Sequence, residues 1–114
     1  MPFINAKTNI SLSRKQRENA KADLGQAISL IPGKSEQWLM VNFEGSCPVY
    51  FSGDTLEPGA MVEIQLLREQ DPQALEQMTA KTTEIISRDF SIKPERIYIS
   101  YTICTAWGYN GSNL

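Results

Sequence analysis

Apolar residues recur along this chain with two periods, and the alternation between them lays out one unit twice. Residues 2–8 (PFINAKT) read as a short strand. Ser13 is a candidate helix N-cap, with Gln16 three residues on in the capping-box arrangement. Ala20, Leu24, Ala27, Ile28 and Ile31 then repeat at helical spacing until Pro32-Gly33 stops the run. Residues 38–43 (WLMVNF) are a near-continuous apolar stretch that predicts a second strand. Glu57-Pro58-Gly59 signals a turn, and residues 60–67 (AMVEIQLL) alternate as a third strand. Asp71 is an N-cap with Pro72 at the first helical position, and Leu75, Met78, Thr82, Ile85 and Ile86 give the second helix its buried stripe. Residues 96–103 (RIYISYTI) predict the fourth strand.

The halves superimpose. Ser13 and Asp71 are 58 positions apart, as are Pro2 and Ala60. Lys34-Ser35-Glu36-Gln37 resembles Lys93-Pro94-Glu95-Arg96 at an offset of 59. The chain therefore reads as a single α+β domain, 1–114, with an internal repeat over about 2–45 and 60–104. Two pseudo-symmetric β-α-β units, each with a right-handed crossover, predict a four-stranded mixed sheet with both helices on one face.

The strand pattern also describes the opposite face. Ile97, Ile99, Tyr101 and Ile103 share one side of the fourth strand, under the helices, while Tyr98, Ser100, Thr102 and Cys104 share the other. In the third strand Val62, Ile64 and Leu66 oppose Glu63, Gln65 and Leu67, and Phe3, Asn5 and Lys7 join the second face. That face is too mixed for a dry core and too aromatic for a plain wet surface. It suits a subunit interface lining a channel or pocket, or a sheet face left to solvent.

Composition narrows the chemistry. At 114 residues there is room for one modest core. A net charge of −2 disfavours a nucleic-acid partner, and Arg14, Lys15 and Arg17 read as a solvated helix turn. The absence of histidine removes histidine triads and histidine-ligated metal sites. Cys47 and Cys104 have no metal or redox spacing, which makes a reducing, cytoplasmic compartment the default. No stretch has the length of a membrane span, and the start, MPFINAKTNI, does not read as a signal peptide.

Several stretches together resemble the macrophage migration inhibitory factor and tautomerase family. They are Met1-Pro2 leading straight into a strand, Gly33-Lys34 after the first helix, Phe51-Ser52-Gly53 and Glu57-Pro58 before the third strand, Arg96 to Tyr101 after Lys93-Pro94-Glu95, and Trp107 to Ser112. The resemblance runs through the chain in order. It implies a homotrimer with active sites between subunits, strandlets near 47–51 and 105–109 that pair with neighbours, and no cofactor. It also implies a general base: removal of Met1 leaves Pro2 with a secondary amine, whose reference pKa of about 8 falls in an apolar, cation-lined pocket. Such a base moves a proton between carbon and oxygen of a small α-keto acid such as phenylpyruvate.

By the same resemblance Lys34 holds the substrate carboxylate and Tyr98 enters from an adjacent subunit. Leu67, Phe3 and Trp107 form apolar wall or are simple packing. Lys93, the repeat counterpart of Lys34, is expected to be structural. Ser100 stands where familiar members carry a substrate-binding asparagine, and Trp107 where a smaller apolar residue is common. Gly59-Ala60-Met61-Val62 replaces the Cys-x-x-Cys of some members, so an oxidoreductase role lacks its thiols. The competing reading is a cytokine-like binding protein with a vestigial pocket, a receptor as partner, and leaderless secretion. A related reaction at the same proline, dehalogenation or decarboxylation, calls for pocket arginines, and Arg68, directly after Leu67, is the one that bears on it.

Overall fold

The computed structural model describes all residues, 1–114. Its elements run β1 (Pro2–Thr8), α1 (Arg14–Ala27), β2 (Met40–Glu44), β3 (Ala60–Leu67), α2 (Pro72–Phe90), β4 (Ile97–Cys104), then a small hairpin of β5 (Gly108–Tyr109) and β6 (Ser112–Asn113). The main sheet has the order β2-β1-β3-β4. β1 runs parallel to β2 and antiparallel to β3, and β3 runs parallel to β4. The two parallel pairs are the two β-α-β crossovers, joined back to back through the antiparallel centre.

Local chemistry accounts for the helix starts. Ser13 accepts from the Gln16 amide while the Gln16 side chain accepts from the Ser13 amide, so the capping box is complete. Asp71 accepts from the Gln73 amide at 3.3 Å and Pro72 occupies the first turn, where its missing N–H is of no consequence. At the other end of α2, Ser91 takes a left-handed φ of 55° and its amide bonds the Ser87 carbonyl, closing the helix.

The core lies between the helices and one face of the sheet. Ile4 and Ala6 of β1, Val62, Ile64 and Leu66 of β3, and Leu24, Ile28, Met78, Ile85, Ile86 and Phe90 of the helical layer are all buried. Ile99, Tyr101 and Ile103 pack against this core from β4, the face expected for them. The Tyr101 hydroxyl donates to the Leu75 carbonyl at 3.0 Å and pairs with Thr79 at 2.8 Å, so this polar tip beneath α2 is satisfied. On the opposite face Lys7 meets Glu63 at 3.5 Å and Asn42 donates to Asn5 at 2.9 Å.

Three boundaries differ from the sequence reading. The fourth strand, expected over 96–103, runs Ile97–Cys104, because Arg96 ends a 3₁₀ turn. The strand expected over 38–43 begins only at Met40, because Glu36–Trp38 forms a 3₁₀ turn closed by bonds from Trp38 to Ser35 and from Leu39 to Glu36. The first helix changes from α to 3₁₀ at Ile28–Leu30 before Pro32-Gly33 ends it. No helix is long and apolar enough to cross a membrane.

Candidate functional site

The start of β1 is the place where the sheet meets a cleft. Pro2 is buried and pairs in register with Leu66 of β3, while Phe3 pairs with Gln65 and with Met40 of β2. In front of them opens a cleft of about 380 Å³. Pro2, Phe3, Trp38, Met40, Trp107 and Tyr109 supply its apolar lining, and no acidic side chain lines it. A volume of this size fits a small ligand.

The aromatic wall is built by the C-terminal hairpin. Asn110 and Gly111 both take positive φ, 52° and 87°, the combination that closes a two-residue turn with the twist of paired strands. The Leu114 amide donates to the Trp107 carbonyl at 2.9 Å and locks the hairpin's base. Tyr109 then meets Trp38 edge to face, with ring centroids 5.4 Å apart at 87°. Residues 108–109 thus pair within their own chain. Phe51 likewise bridges to Asp54 of its own chain.

A second turn brings up the lysine. The Lys34 amide donates to the Ile31 carbonyl at 3.1 Å, with Pro32 and a left-handed Gly33 (φ 81°) between them. This is the proline-then-glycine order of a tight turn that needs positive φ at its third residue. It sends the half-buried Lys34 side chain to the end of β3, where its Nζ donates to the Leu67 carbonyl at 3.4 Å. Leu67 itself is 3% exposed. Its carbonyl also accepts from Gln70 Nε2 at 3.1 Å.

The α-amino group of Met1 lies in this environment and is pushed down from 8.0 to about 6. Burial is the largest cause, followed by the Lys34 charge, a hydrogen bond with Lys34 and the Arg68 charge. Each disfavours the ammonium form. An amine so placed is uncharged, and able to accept a proton, at neutral pH.

The structure therefore brings Pro2, Phe3 and Trp107 together around one cleft and sets Lys34 and Leu67 beside the chain start. It does not bring Tyr98 or Ser100 there within one chain. Tyr98 pairs with Met61 and Ser100 with Glu63, toward the far end of β3 from Leu66. Tyr98 is 62% exposed and its ring leans on Phe51, centroids 5.1 Å apart. Trp38, Met40 and Tyr109 were not foreseen as cleft residues. Tyr109 had a signal, since it lies in the aromatic C-terminal motif, whereas Trp38 and Met40 were hidden inside a stretch read as plain strand. Lys93 is exposed and lies 3.8 Å from Glu57, well apart from the cleft.

The chain matches the family model of macrophage migration inhibitory factor (MIF) over residues 1–114, and it belongs to that family. Among solved structures, Leishmania major MIF2 is 32% identical, with a TM-score of 0.92 over 100% of this chain and 97% of that one. A MIF homologue from Prochlorococcus marinus is 25% identical, with a TM-score of 0.85 over 97% of each chain. Pt0534 inactivated by 2-oxo-3-pentynoate shares the fold at a TM-score of 0.86, with 11% identity over 96% of this chain and 93% of that one. No curated protein matches the chain. The fold is thus the α+β MIF and tautomerase fold, with its four-stranded mixed sheet and two helices.

Proposed function

We propose that this protein is a cofactor-free keto–enol tautomerase of small α-keto acids, of the phenylpyruvate type, that works as a homotrimer. The observation that carries the reading is the chain start itself: Pro2 lines an apolar cleft, and the Met1 amine next to it, beside Lys34, is lowered to about 6. Removal of Met1 transfers that terminal amine to Pro2, one residue further into the cleft.

In this reading the Pro2 nitrogen takes a proton from the carbon next to the substrate carbonyl. The C–H electron pair becomes the new C=C bond, and the carbonyl π pair moves onto oxygen. The Pro2 ammonium then returns its proton to that oxygen, giving the enol; the reverse sequence gives the keto acid. Lys34 pairs with the substrate carboxylate, and Trp107, Phe3 and Leu67 enclose its side chain. Tyr98 and Ser100 reach the cleft from a neighbouring subunit. Such an assembly also covers the open edges of β2 and β4, which a lone chain leaves unpaired.

Intact mass and phenylpyruvate tautomerisation of one sample test the reading. Methionine-free protein is expected to be active, and Pro2→Ala to lose at least tenfold in kcat/KM. Incubation with 2-oxo-3-pentynoate, the inactivator of Pt0534, should add one molecule of the probe to the N-terminal peptide. Methionine-free protein no more active than Pro2→Ala overturns the reading.

A further inference from the structure

Six asparagines lie in the chain, and only Asn110 is followed by a glycine. The pairing has a chemical meaning. The backbone nitrogen after an asparagine is placed to attack the side-chain amide carbon, closing a five-membered ring. A Cβ on the following residue crowds that approach, and glycine has none.

The fold reinforces the difference. Asn5 and Asn42 are held in paired strands, where Asn42 donates to Asn5 at 2.9 Å. Asn9 donates to the carbonyls of Thr55 and Glu57 and accepts from the Gly59 amide at 3.0 Å. Asn19 lies within α1, and the amide after Asn113 donates to the Trp107 carbonyl at 2.9 Å. Asn110 and Gly111 instead form the exposed tip between β5 and β6. The pairing of Tyr109 with Ser112 uses the groups on either side of that tip, and the Gly111 amide donates to no carbonyl of the chain.

Ring closure needs the tip to swing out of its tight-turn conformation, in which Asn110 and Gly111 have φ of 52° and 87°. The hairpin allows this. It is two residue pairs long and separate from the main sheet. A lone two-stranded ribbon is marginal in water, so it opens locally while the core stays folded.

We infer that Asn110 is a site of spontaneous deamidation, which breaks the register of the hairpin and with it the aromatic wall of the cleft. The Gly111 nitrogen passes its proton to solvent and bonds to Asn110 Cγ. The side-chain nitrogen takes up a proton and leaves as ammonia. Water then opens the succinimide ring. Cleavage of the bond to Cγ leaves aspartate. Cleavage of the bond to the main-chain carbonyl carbon leaves isoaspartate, whose chain runs through Cβ. Either product carries a carboxylate beside Tyr109, at the rim of a cleft with no acidic side chain. Isoaspartate also adds an atom to the main chain at the tip. Tyr109 then no longer faces Ser112, and its edge contact with Trp38 is lost. The reaction needs only the hairpin and water, and stands apart from the tautomerase reading.

The test holds wild type and Asn110→Gly at 37 °C and pH 8, where loss of the amide proton favours ring closure. Glycine keeps the positive φ of the tip and removes the reacting side chain. Wild type should exchange an amide for an acid in the peptide that spans Asn110, seen as added mass and one added negative charge. The exchange there should run roughly ten times faster than at Asn19 or Asn113, which the fold holds in place. Trp38 and Trp107 are the chain's two tryptophans and both line the cleft, so their fluorescence reports the wall. It should shift in step with isoaspartate in wild type and stay constant in Asn110→Gly. None of these readings depends on turnover.

Conversion at Asn110 no faster than at Asn113 overturns the site. Conversion without a change in fluorescence overturns its effect on the cleft. Asn110→Asp carries the new charge on a backbone of normal length and should fluoresce like fresh wild type. A shift in Asn110→Asp as large as that of the aged protein overturns lost register as the cause.

Discussion

Pro2 and Tyr98 lie against the same strand at opposite ends. Pro2 pairs with Leu66 and Tyr98 with Met61. Those partners stand five positions apart along β3, roughly 17 Å of strand. One chain therefore cannot set both side chains on one small substrate, and the placement of Tyr98 makes sense at a neighbour's cleft.

Subunit mixing tests that arrangement. Pro2→Ala and Tyr98→Phe chains, each weakly active alone, should regain activity when unfolded and reassembled together. In a ring of three with independent interface sites, about a quarter of the sites in an equal mixture combine two intact residues. A mixture no more active than the average of its parents would exclude a shared site.

The pH dependence follows from the depressed amine. The proton acceptor must be uncharged, and a Pro2 amine freed by loss of Met1 meets the same burial and cations that lower the Met1 amine, so kcat/KM should rise with pH, through an apparent pKa below that of a free amine, and then level off. Lys34→Ala removes both a cationic neighbour and a hydrogen bond and should move that pKa up toward 8.0. Stability has the matching sign. The unfolded amine, at 8.0, binds more protons between pH 6 and 8 than the folded one, so stability rises with pH across that window. Denaturant titrations at pH 5.5, 7 and 8.5 measure it; an acetylated N-terminus should flatten this contribution.

Trp107 lines the cleft from the C-terminal side. Trp107→Val should raise kcat/KM for aryl keto acids with bulky ring substituents relative to pyruvate, by roughly three- to tenfold, the range that apolar pocket contacts command. Steady-state kinetics on a graded substrate series reads the ratio. An unchanged ratio would make Trp107 packing only.

Arg96 anchors the loop before β3. It is 8% exposed, donates Nε to the Pro58 carbonyl at 2.9 Å and Nη2 to the Glu57 carbonyl at 3.1 Å, and lies 5.0 Å from the centre of the Phe51 ring, which in turn supports Tyr98. Arg96→Met leaves two carbonyls without their charged donor and should cost about 2–4 kcal/mol. Thermal unfolding should fall by roughly 8–15 °C, and Tyr98 should lose its fixed ring environment in near-ultraviolet dichroism.

Most of the fold was legible in the sequence because burial imposes its period on the residues. The period-two runs at 60–67 and 97–103 and the Ser13 and Asp71 caps each have a local cause. Trp38 was misread because apolar character does not distinguish a strand from a 3₁₀ turn that sets a ring at a cleft edge. The repeat held the corrective signal: Pro94–Arg96, its counterpart, is also a 3₁₀ turn, and there a proline announces it. Of the candidate site, Pro2, Phe3, Lys34, Leu67 and Trp107 converge in one chain. The cleft's remaining wall depends on tertiary return of the hairpin, which no local pattern encodes, and the distance from Pro2 to Tyr98 becomes visible only in the strand register.

The ion pair between Lys93 and Glu57 has a further consequence. Of two lysines at matching crossovers, Lys93 has a carboxylate of its own chain beside it and Lys34 has none within 4.0 Å. The two halves of the repeat are therefore alike in backbone and unlike in the charge that each leaves unpaired.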